Sequence, residues 1–178
     1  MKWASCLRLA RVGAWQVGVV AFLAAAPLAL GGDPLPEPQG PVILTVSGTV
    51  GVTNSEAGAQ FDRQMLRDIG VTHVKTSTPW TDGVQDFSGV LGRALMERVE
   101  AQGDVVMASA LNDYTVELPM SDFLDYDLLL ATEMNGEEMR VSDKGPVWIV
   151  YPRDDEPALQ DRRLHDRWVW QLKSLQVQ

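Results

Sequence analysis

Two apolar runs in the second half of the chain, at residues 126–131 and 147–151, flank the dipeptide Asn135-Gly136. Both residues of a tight hairpin turn need positive φ, and Asn-Gly adopts that conformation readily. The pattern therefore predicts a β-hairpin between the two runs. Polar clusters at residues 112–114 and 144–146 lie at the ends of predicted strands, where a rigid sheet presents loop residues to ligands.

The rest of the chain shows short strand and helix patterns. Apolar residues at helical spacing predict two helices, at residues 61–69 and 90–99. Strands outnumber helices and are not regularly separated by them. The sequence therefore predicts a mixed α+β domain with largely antiparallel sheets and a few short helices. Runs of β-branched or alternating apolar residues predict the further strands, at residues 42–50, 71–77, 105–111, 115–118 and 168–177.

The first thirty-odd residues have the pattern of an export signal. Positive charge at the start is followed by an apolar run at residues 17–30, and no acidic residue occurs before Asp33. We predict a signal peptide at residues 1–31, cut near Gly31. The run is too short to span a bilayer securely, although an uncleaved anchor is the alternative. Residues 32–41 are predicted as a Pro-rich linker, and residues 42–178 as the domain.

This assignment places the mature protein in the periplasm or outside the cell, with no stable membrane span. The single cysteine, Cys6, lies in the predicted signal peptide, so the mature chain offers no thiolate to a metal. Without the three basic residues of that peptide, twelve Lys and Arg remain against twenty-four Asp and Glu, a net charge of −12. Such a surface repels nucleic acid and disfavours anionic ligands. The expected partner is a small molecule or a periplasmic protein.

Few residues are candidates for chemistry. The corner at residues 112–114 is either a ligand contact or an ordinary Asx-type turn, and both readings stay open. His73 and His165 have no second histidine or cysteine near them in the sequence, so we predict no metal site. His73 is expected in a strand and His165 in a solvated loop. Ser77 lies outside any Gly-x-Ser-x-Gly elbow, which argues against a hydrolase.

Several short motifs together resemble one known family. In this order and spacing they are similar to the oxidoreductase molybdopterin-binding domain, the fold of sulfite oxidase, over residues 42–177. The resemblance implies a sulfite oxidase-like fold and, in an intact member, a molybdopterin-dependent oxidoreductase. The motifs are Phe87-Ser88-Gly89-Val90, Asn112-Asp113-Tyr114 with Pro119 and Asp122, Met134-Asn135-Gly136-Glu137, Lys144-Gly145-Pro146-Val147 and Trp168-Val169-Trp170-Gln171-Leu172.

The chain departs from that family at the metal. The family binds molybdenum through one cysteine thiolate in addition to the two sulfurs of the pterin, and the resemblance puts this cysteine close to Ser77. No cysteine occurs there or downstream. A serine hydroxyl is a hard ligand and not an equivalent replacement. We therefore expect no cofactor; molybdopterin is expected only if the chain is an active member.

A second departure concerns the phosphate of the pterin. By the resemblance, Lys144 replaces a family histidine and keeps a cation, whereas Trp148 stands where the family has an arginine. An indole donates one neutral N–H and cannot replace the arginine fork on phosphate. The family's glycine-rich loop is replaced by residues 153–166, which open with Asp154-Asp155-Glu156 and would repel phosphate.

The leading hypothesis is an exported accessory domain that binds a ligand or a partner in a cleft between residues 77–82, 112–114 and 144–146. In it, Asn112 and Tyr114 would supply hydrogen bonds and Trp80 a stacking face. The alternative is an active periplasmic molybdopterin-dependent oxidoreductase, with Ser77 or water in place of the sulfur. A purely structural interaction module is the third possibility. The candidate binding residues are Ser77, Trp80, Asn112, Asp113, Tyr114, Lys144, Gly145 and Arg167, of which Lys144 and Arg167 would supply positive charge.

Overall fold

The computed structural model of the chain describes residues 33–178. The predicted signal peptide and its cleavage site lie outside these residues. No helix within the described range is long and apolar enough to cross a membrane. The described elements are β1 (Leu44–Gly48), β2 (Ala59–Phe61), α1 (Arg63–Ile69), β3 (Thr72–Ser77), β4 (Val84–Leu91), α2 (Gly92–Arg98), β5 (Val105–Ala110), β6 (Thr115–Pro119), α3 (Met120–Asp125), β7 (Leu129–Met134), β8 (Glu137–Glu138), β9 (Trp148–Val150) and β10 (Leu172–Val177), with 3₁₀ turns at Val141–Asp143, Pro157–Gln160 and Arg162–Arg167.

The strands form two sheets. The first has the order β2-β1-β10-β5-β6, and the second has the order β3-β4-β7-β8, with β9 also paired to β7. The pairing of β1 with β10 is parallel, and the other pairings of described strands are antiparallel. The α+β class with largely antiparallel sheets and a few short helices is thereby confirmed.

One hydrophobic core takes side chains from both sheets. In β5 every second residue is buried, as the alternating sequence requires of a strand with one buried face. In β9 all three residues are buried, which is the pattern of a strand covered on both sides. Trp148 in β9 is fully buried, and its ring meets Phe87 edge-on at a centroid distance of 5.3 Å. The indole of Trp148 is therefore a core side chain.

The predicted hairpin is present, with an excursion in its return arm. Asn135 and Gly136 have φ angles of 54° and 80°, as the turn requires. After the turn, β8 pairs with the end of β7, the chain leaves the sheet, and it returns as β9, which pairs with the start of β7. The excursion, residues 139–147, carries Lys144-Gly145-Pro146.

The structure corrects the predicted elements in several places, among them the helix predicted from residue 61, since Phe61 ends the strand β2 and α1 begins at Arg63. Residues 84–91 form the strand β4 between β3 and β7, where the sequence predicted a loop and then a helix from residue 90. Polar residues such as Asp86 and Ser88 obscure the strand pattern, and it becomes a strand through pairing on both edges. The last strand begins at Leu172 rather than at residue 168, because Gln171 has a φ of 52° and interrupts the extended backbone.

The segment predicted as a linker, described from residue 33, has no strand or helix but is bound to the domain. Leu35 is part of the core. The backbone N–H groups of Gln39 and Gly40 both donate to Asp62 Oδ2 at 2.8 Å. The other carboxylate oxygen of Asp62 caps α1 by accepting from the N–H of Met65. These hydrogen bonds, the one from Met65 foremost, hold the pKa of Asp62 below its usual value.

Candidate functional site

A cavity of about 330 Å³ lies at one end of the first sheet. Three segments surround it: the loop after β3, the corner between β5 and β6, and the segment that leads into β10. The last two of these segments meet because β5 ends where its antiparallel neighbours β6 and β10 begin. We call this space the aromatic cavity. Its lining residues are Trp80, Ala110, Asn112, Tyr114, His165, Asp166, Trp168, Val169 and Trp170.

Trp80 is the centre of the ring cluster at this cavity. Its centroid lies 5.4 Å from that of Trp170, 5.8 Å from that of Trp168 and 5.6 Å from that of His165. The ring planes meet at 78°, 54° and 62°, so none of these pairs is a parallel stack. On its inner side Trp80 also contacts Trp148 edge-on, at 6.4 Å. The cluster thus joins the cavity wall to the buried face of the second sheet.

The wall formed by residues 165–170 is held by a buried charge. The Arg167 guanidinium donates from Nη1 to both oxygens of Asp122, at 3.1 and 2.8 Å, and the Tyr151 hydroxyl donates to Asp122 Oδ2 at 2.8 Å. Asp122 is 4% exposed. Burial, and next the charge of Asp122, raise the pKa of Tyr151 well above its usual value. Arg167 therefore ties this wall to Asp122 in α3, and Asp122 in turn binds Tyr151, just after β9.

The corner between β5 and β6 closes the cavity on the opposite side. Asn112 Oδ1 accepts from the backbone N–H of Tyr114 at 3.2 Å, which is an Asx turn, and Asp113 has a φ of 64°. The Tyr114 hydroxyl reaches across and donates to the backbone carbonyl of Asp166 at 3.1 Å. Burial, and secondarily the Asp166 charge, raise the pKa of Tyr114. The corner is therefore both a turn and a cavity wall, as the two open readings of the sequence allowed.

Ser77 lies in a different environment, at the end of β3. Its hydroxyl donates to Asp154 Oδ1 at 2.6 Å and accepts from Arg153 Nη1 at 2.8 Å, and its backbone N–H donates to Asp154 Oδ2 at 2.6 Å. The backbone N–H of Asp154 donates to Thr76 Oγ1 at 3.2 Å. The hydroxyl of Ser77, foremost, lowers the pKa of Asp154. We call Thr76, Ser77, Arg153 and Asp154 the polar cluster.

Lys144 and Gly145 lie on the excursion between β8 and β9. Lys144 Nζ stands 5.5 Å from the ring centroid of Trp148, a cation–π contact. Gly145 is buried, and a Cβ on it would come 2.1 Å from the carbonyl oxygen of Met139. The carbonyl of Lys144 accepts from the N–H of Gln171 at 2.8 Å. These residues pack the excursion against the segment before β10.

The structure divides the eight predicted site residues into groups. Trp80, Asn112 and Tyr114 line the aromatic cavity together. Asp113 lies beside them in sequence, but its carboxylate pairs with Lys173 Nζ at 2.6 Å; that hydrogen bond lowers the pKa of Asp113. The remaining four residues have other neighbours. Arg167 binds Asp122, Ser77 belongs to the polar cluster, and Lys144 and Gly145 lie on the excursion.

One of the three segments around the aromatic cavity differs from the predicted cleft. Residues 165–170 occupy the side that the sequence assigned to residues 144–146. His165, predicted to be solvated, packs on Trp80, and its Nε2 is buried with no hydrogen-bond partner among the described residues. The residue as a whole is half-buried, so the prediction holds only in part, because the 3₁₀ turn brings one side of the ring against Trp80. The one signal for this wall was the pair Trp168 and Trp170, whose aromatic rings are costly to leave in water.

A comparison of the sequence with profiles of known families shows which family the chain belongs to. The sequence profile described as the oxidoreductase molybdopterin binding domain matches residues 58–154, more than half of the chain. The chain belongs to this family. The resemblance drawn from the motifs is confirmed. No curated protein matches the sequence.

A solved structure supports the family fold. The crystal structure of the sulfane dehydrogenase SoxCD from Paracoccus pantotrophus superposes with a TM-score of 0.56 at 19% sequence identity. The match covers 75% of this chain and 37% of that chain, so this chain spans little more than a third of the neighbour. At this identity the likeness shows the fold, which is the sulfite oxidase-like molybdopterin-binding fold.

The described residues do not supply the groups that a molybdenum cofactor needs. Residues 33–178 contain no cysteine for the metal. Within them, no three His, Cys, Asp or Glu side chains come together as metal ligands. The aromatic cavity is lined by no Lys or Arg to neutralise a phosphate, and an acidic residue, Asp166, is among its lining residues. Arg153 belongs to the polar cluster and Arg167 is bound to Asp122, while Lys144 lies over the ring of Trp148 and does not line the cavity. This donor set does not fit the group.

Proposed function

We propose that the chain is an exported accessory protein that keeps the family fold, holds no molybdenum cofactor and binds a ligand or a partner group in the aromatic cavity. The observation that carries the proposal is the contrast at the end of β3. The residue nearest to the expected thiolate position, Ser77, is bonded internally, and three residues further on the chain lines an open cavity.

The polar cluster supports the absence of a metal site. The hydroxyl of Ser77 both donates to Asp154 and accepts from Arg153. A metal at this hydroxyl would have to break these charge-assisted bonds, which are about twice as strong as neutral ones. The carboxylate of Asp154 would also remain beside the anionic sulfurs of a pterin, and like charges repel. The substitution of serine for cysteine is therefore accompanied by a changed environment.

The aromatic cavity supports ligand binding. Its volume is at the lower end of the range for small-molecule sites, and it combines apolar rings with a few polar groups. Asn112 and the hydroxyl of Tyr114 lie at its wall and offer hydrogen bonds. The buried Nε2 of His165, a lining residue packed on Trp80, has no partner among the described residues. Unpaired buried polar atoms are costly, and a bound water or ligand group would relieve that cost.

Export rests on the N-terminal sequence. A basic start, an apolar run at residues 17–30 and small residues at the end of that run are the features a signal peptidase substrate requires. Expression with the native N-terminus, followed by cell fractionation and intact mass, tests this. A mature chain starting near Gly31 in the periplasm or medium is expected, and an uncut cytoplasmic chain would contradict it.

The alternative function is an active molybdopterin-dependent oxidoreductase. The family match over residues 58–154 favours it. It requires Ser77 or water at the metal, and it predicts a visible chromophore and loss of activity in the Ser77→Ala variant.

Elemental analysis with native mass spectrometry separates the two functions. The full chain is produced in a host that makes molybdenum cofactor, beside an intact family member as positive control. The proposed function predicts no stoichiometric molybdenum or pterin in this chain and full loading in the control. A stoichiometric complement of both in this chain would overturn it. Ser77→Cys is a useful second variant, because it tests whether the thiol alone restores loading.

A further inference from the structure

We propose that the ligand of the aromatic cavity is a small organic cation with an alkylated ammonium group. This inference rests on the proposed function, since it names the ligand class of the same cavity. It combines two independent observations: the arrangement of the rings, and the sign of the charge at the rim.

The aromatic rings that line the cavity include Trp80, Trp168, Trp170 and Tyr114, and none of the pairs around Trp80 is a parallel slot. Trp80 meets Trp170 at 78° and Trp168 at 54°, and the hydrogen bond from Tyr114 to the Asp166 carbonyl holds a fourth ring at the mouth. A flat aromatic ligand stacks best between parallel rings. A compact, rounded cation needs no parallel pair, because it gains from the negative quadrupole of any single ring face that it contacts. The geometry therefore favours an alkylated ammonium group over a planar ligand.

The acidic residue at the cavity has the charge that a cationic ligand requires. The Asp166 side chain is exposed and has no ion-pair partner among the described residues, whereas the neighbouring Arg167 is bound to Asp122. The lining contains no Lys or Arg. Residues 33–178 carry twelve basic and twenty-four acidic side chains, so the field of the whole domain also draws cations toward it. An unpaired carboxylate beside electron-rich rings discriminates against anions and neutral ligands alike.

A pair of isosteric ligands tests the charge directly. Choline and 3,3-dimethyl-1-butanol have the same shape, but the second replaces the ammonium nitrogen with carbon. Isothermal titration of the purified full chain is expected to show choline binding roughly tenfold tighter than the neutral isostere, the preference that partly desolvated cation–π contacts provide.

Two charge-neutralising variants complete the test. Asp166→Asn is expected to weaken choline several-fold and to leave the isostere unchanged. Asp155→Asn removes the same charge from an exposed residue that does not line the cavity, and it is expected to change neither. Both sites are exposed, so folding should be retained, and thermal melts check it.

Equal binding of the two ligands, no choline binding, or an unchanged preference in Asp166→Asn would each overturn the inference. Equal binding would leave the proposed function standing, because an apolar ligand would still occupy the cavity. Stoichiometric molybdenum in the same preparation would overturn both, and elemental analysis detects it before any titration.

Discussion

Ser77 of the polar cluster and Trp80 of the aromatic cavity are three residues apart, but the two regions use their side chains in opposite ways. In the polar cluster, the hydroxyl of Ser77 and the carboxylate of Asp154 are bonded to each other and to Arg153. In the cavity, the Asp166 carboxylate has no ion pair among the described residues, and the buried nitrogen of His165 has no partner there. The Nε of Arg153 is buried without a partner among the described residues, but the Ser77 hydroxyl and the Asp154 carboxylate are paired, whereas open groups beside a cavity are available to a ligand.

The position that the family resemblance assigns to the metal ligand, Ser77, is therefore not the place where this chain offers room for a ligand. The family resemblance directs attention to Ser77, but the internal bonds of that residue leave little for an added group. The cavity, by contrast, is built largely from residues outside the family match at 58–154: His165, Asp166, Trp168 and Trp170 all follow it. A binding function in this chain is therefore expected to depend on its C-terminal segment.

The largest effect is expected from breaking the support of the cavity wall. Asp122→Ala leaves Arg167 and the hydroxyl of Tyr151 unpaired, and we expect a loss of about 3 kcal/mol in the free energy of unfolding, together with loss of ligand binding. Urea denaturation and titration measure both. Asp127→Ala, which removes the exposed partner of Arg93, is the control and should cost less than about 1 kcal/mol. Equal losses in the two variants would contradict the role given to Asp122.

A smaller loss of stability is expected from a substitution on the excursion, which belongs to neither the polar cluster nor the aromatic cavity. In Gly145→Ala the added Cβ would press on the backbone carbonyl of Met139, and overpacking of this kind costs about 2 kcal/mol. Ligand affinity in the aromatic cavity should stay the same once the variant is folded. Gly40→Ala, whose Cβ would have only ordinary contacts with Asp62, is the matched control. A changed affinity in Gly145→Ala would mean that the excursion contributes to the binding site, as the sequence predicted.

The polar cluster itself is expected to contribute less. Ser77→Ala removes the hydroxyl that donates to Asp154 and accepts from Arg153, and because solvent screens the exposed pair with Asp154 we expect a loss of about 1 kcal/mol at neutral pH. Ligand binding in the cavity should be unaffected. The exposed Ser142→Ala is the control. If Ser77→Ala abolished binding while folded, the separation of the two regions would be wrong.

The same variant has a pH signature. The pKa of Asp154 lies below its usual 3.8 chiefly because of the Ser77 hydroxyl. A carboxyl with a lowered pKa stabilises the fold above its unfolded pKa, and this contribution is lost as the pH falls through the folded pKa. The stability difference between wild type and Ser77→Ala should therefore be largest near pH 7 and shrink below about pH 4. A difference that is constant with pH would show that the hydroxyl acts independently of the Asp154 charge.

The smallest effect is expected beside the cavity. Asp113→Asn removes the exposed pair with Lys173 but keeps a residue that tolerates positive φ. Melting temperature and ligand affinity should not change measurably. A large loss of affinity would mean that Asp113 turns toward the ligand when the ligand binds.

Local signals in the sequence were sufficient for much of this molecule. The Asn135-Gly136 turn, the α+β class, the Asx corner and the motifs of the family could all be read there, because each depends on neighbours a few residues apart. Trp80, Asn112 and Tyr114 were also predicted as members of one site, and the structure brings them together.

Only the tertiary structure decided the rest, for a common reason. The strand β4 exists through its pairing with β3 and β7, and its own pattern is weak. The wall at residues 165–170 is held by a bond between Arg167 and Asp122, forty-five positions apart. The partners of Ser77 lie seventy-six and seventy-seven positions away. Contacts over such separations leave no period in the sequence, so burial and charge pairing at the site became visible in the folded chain alone.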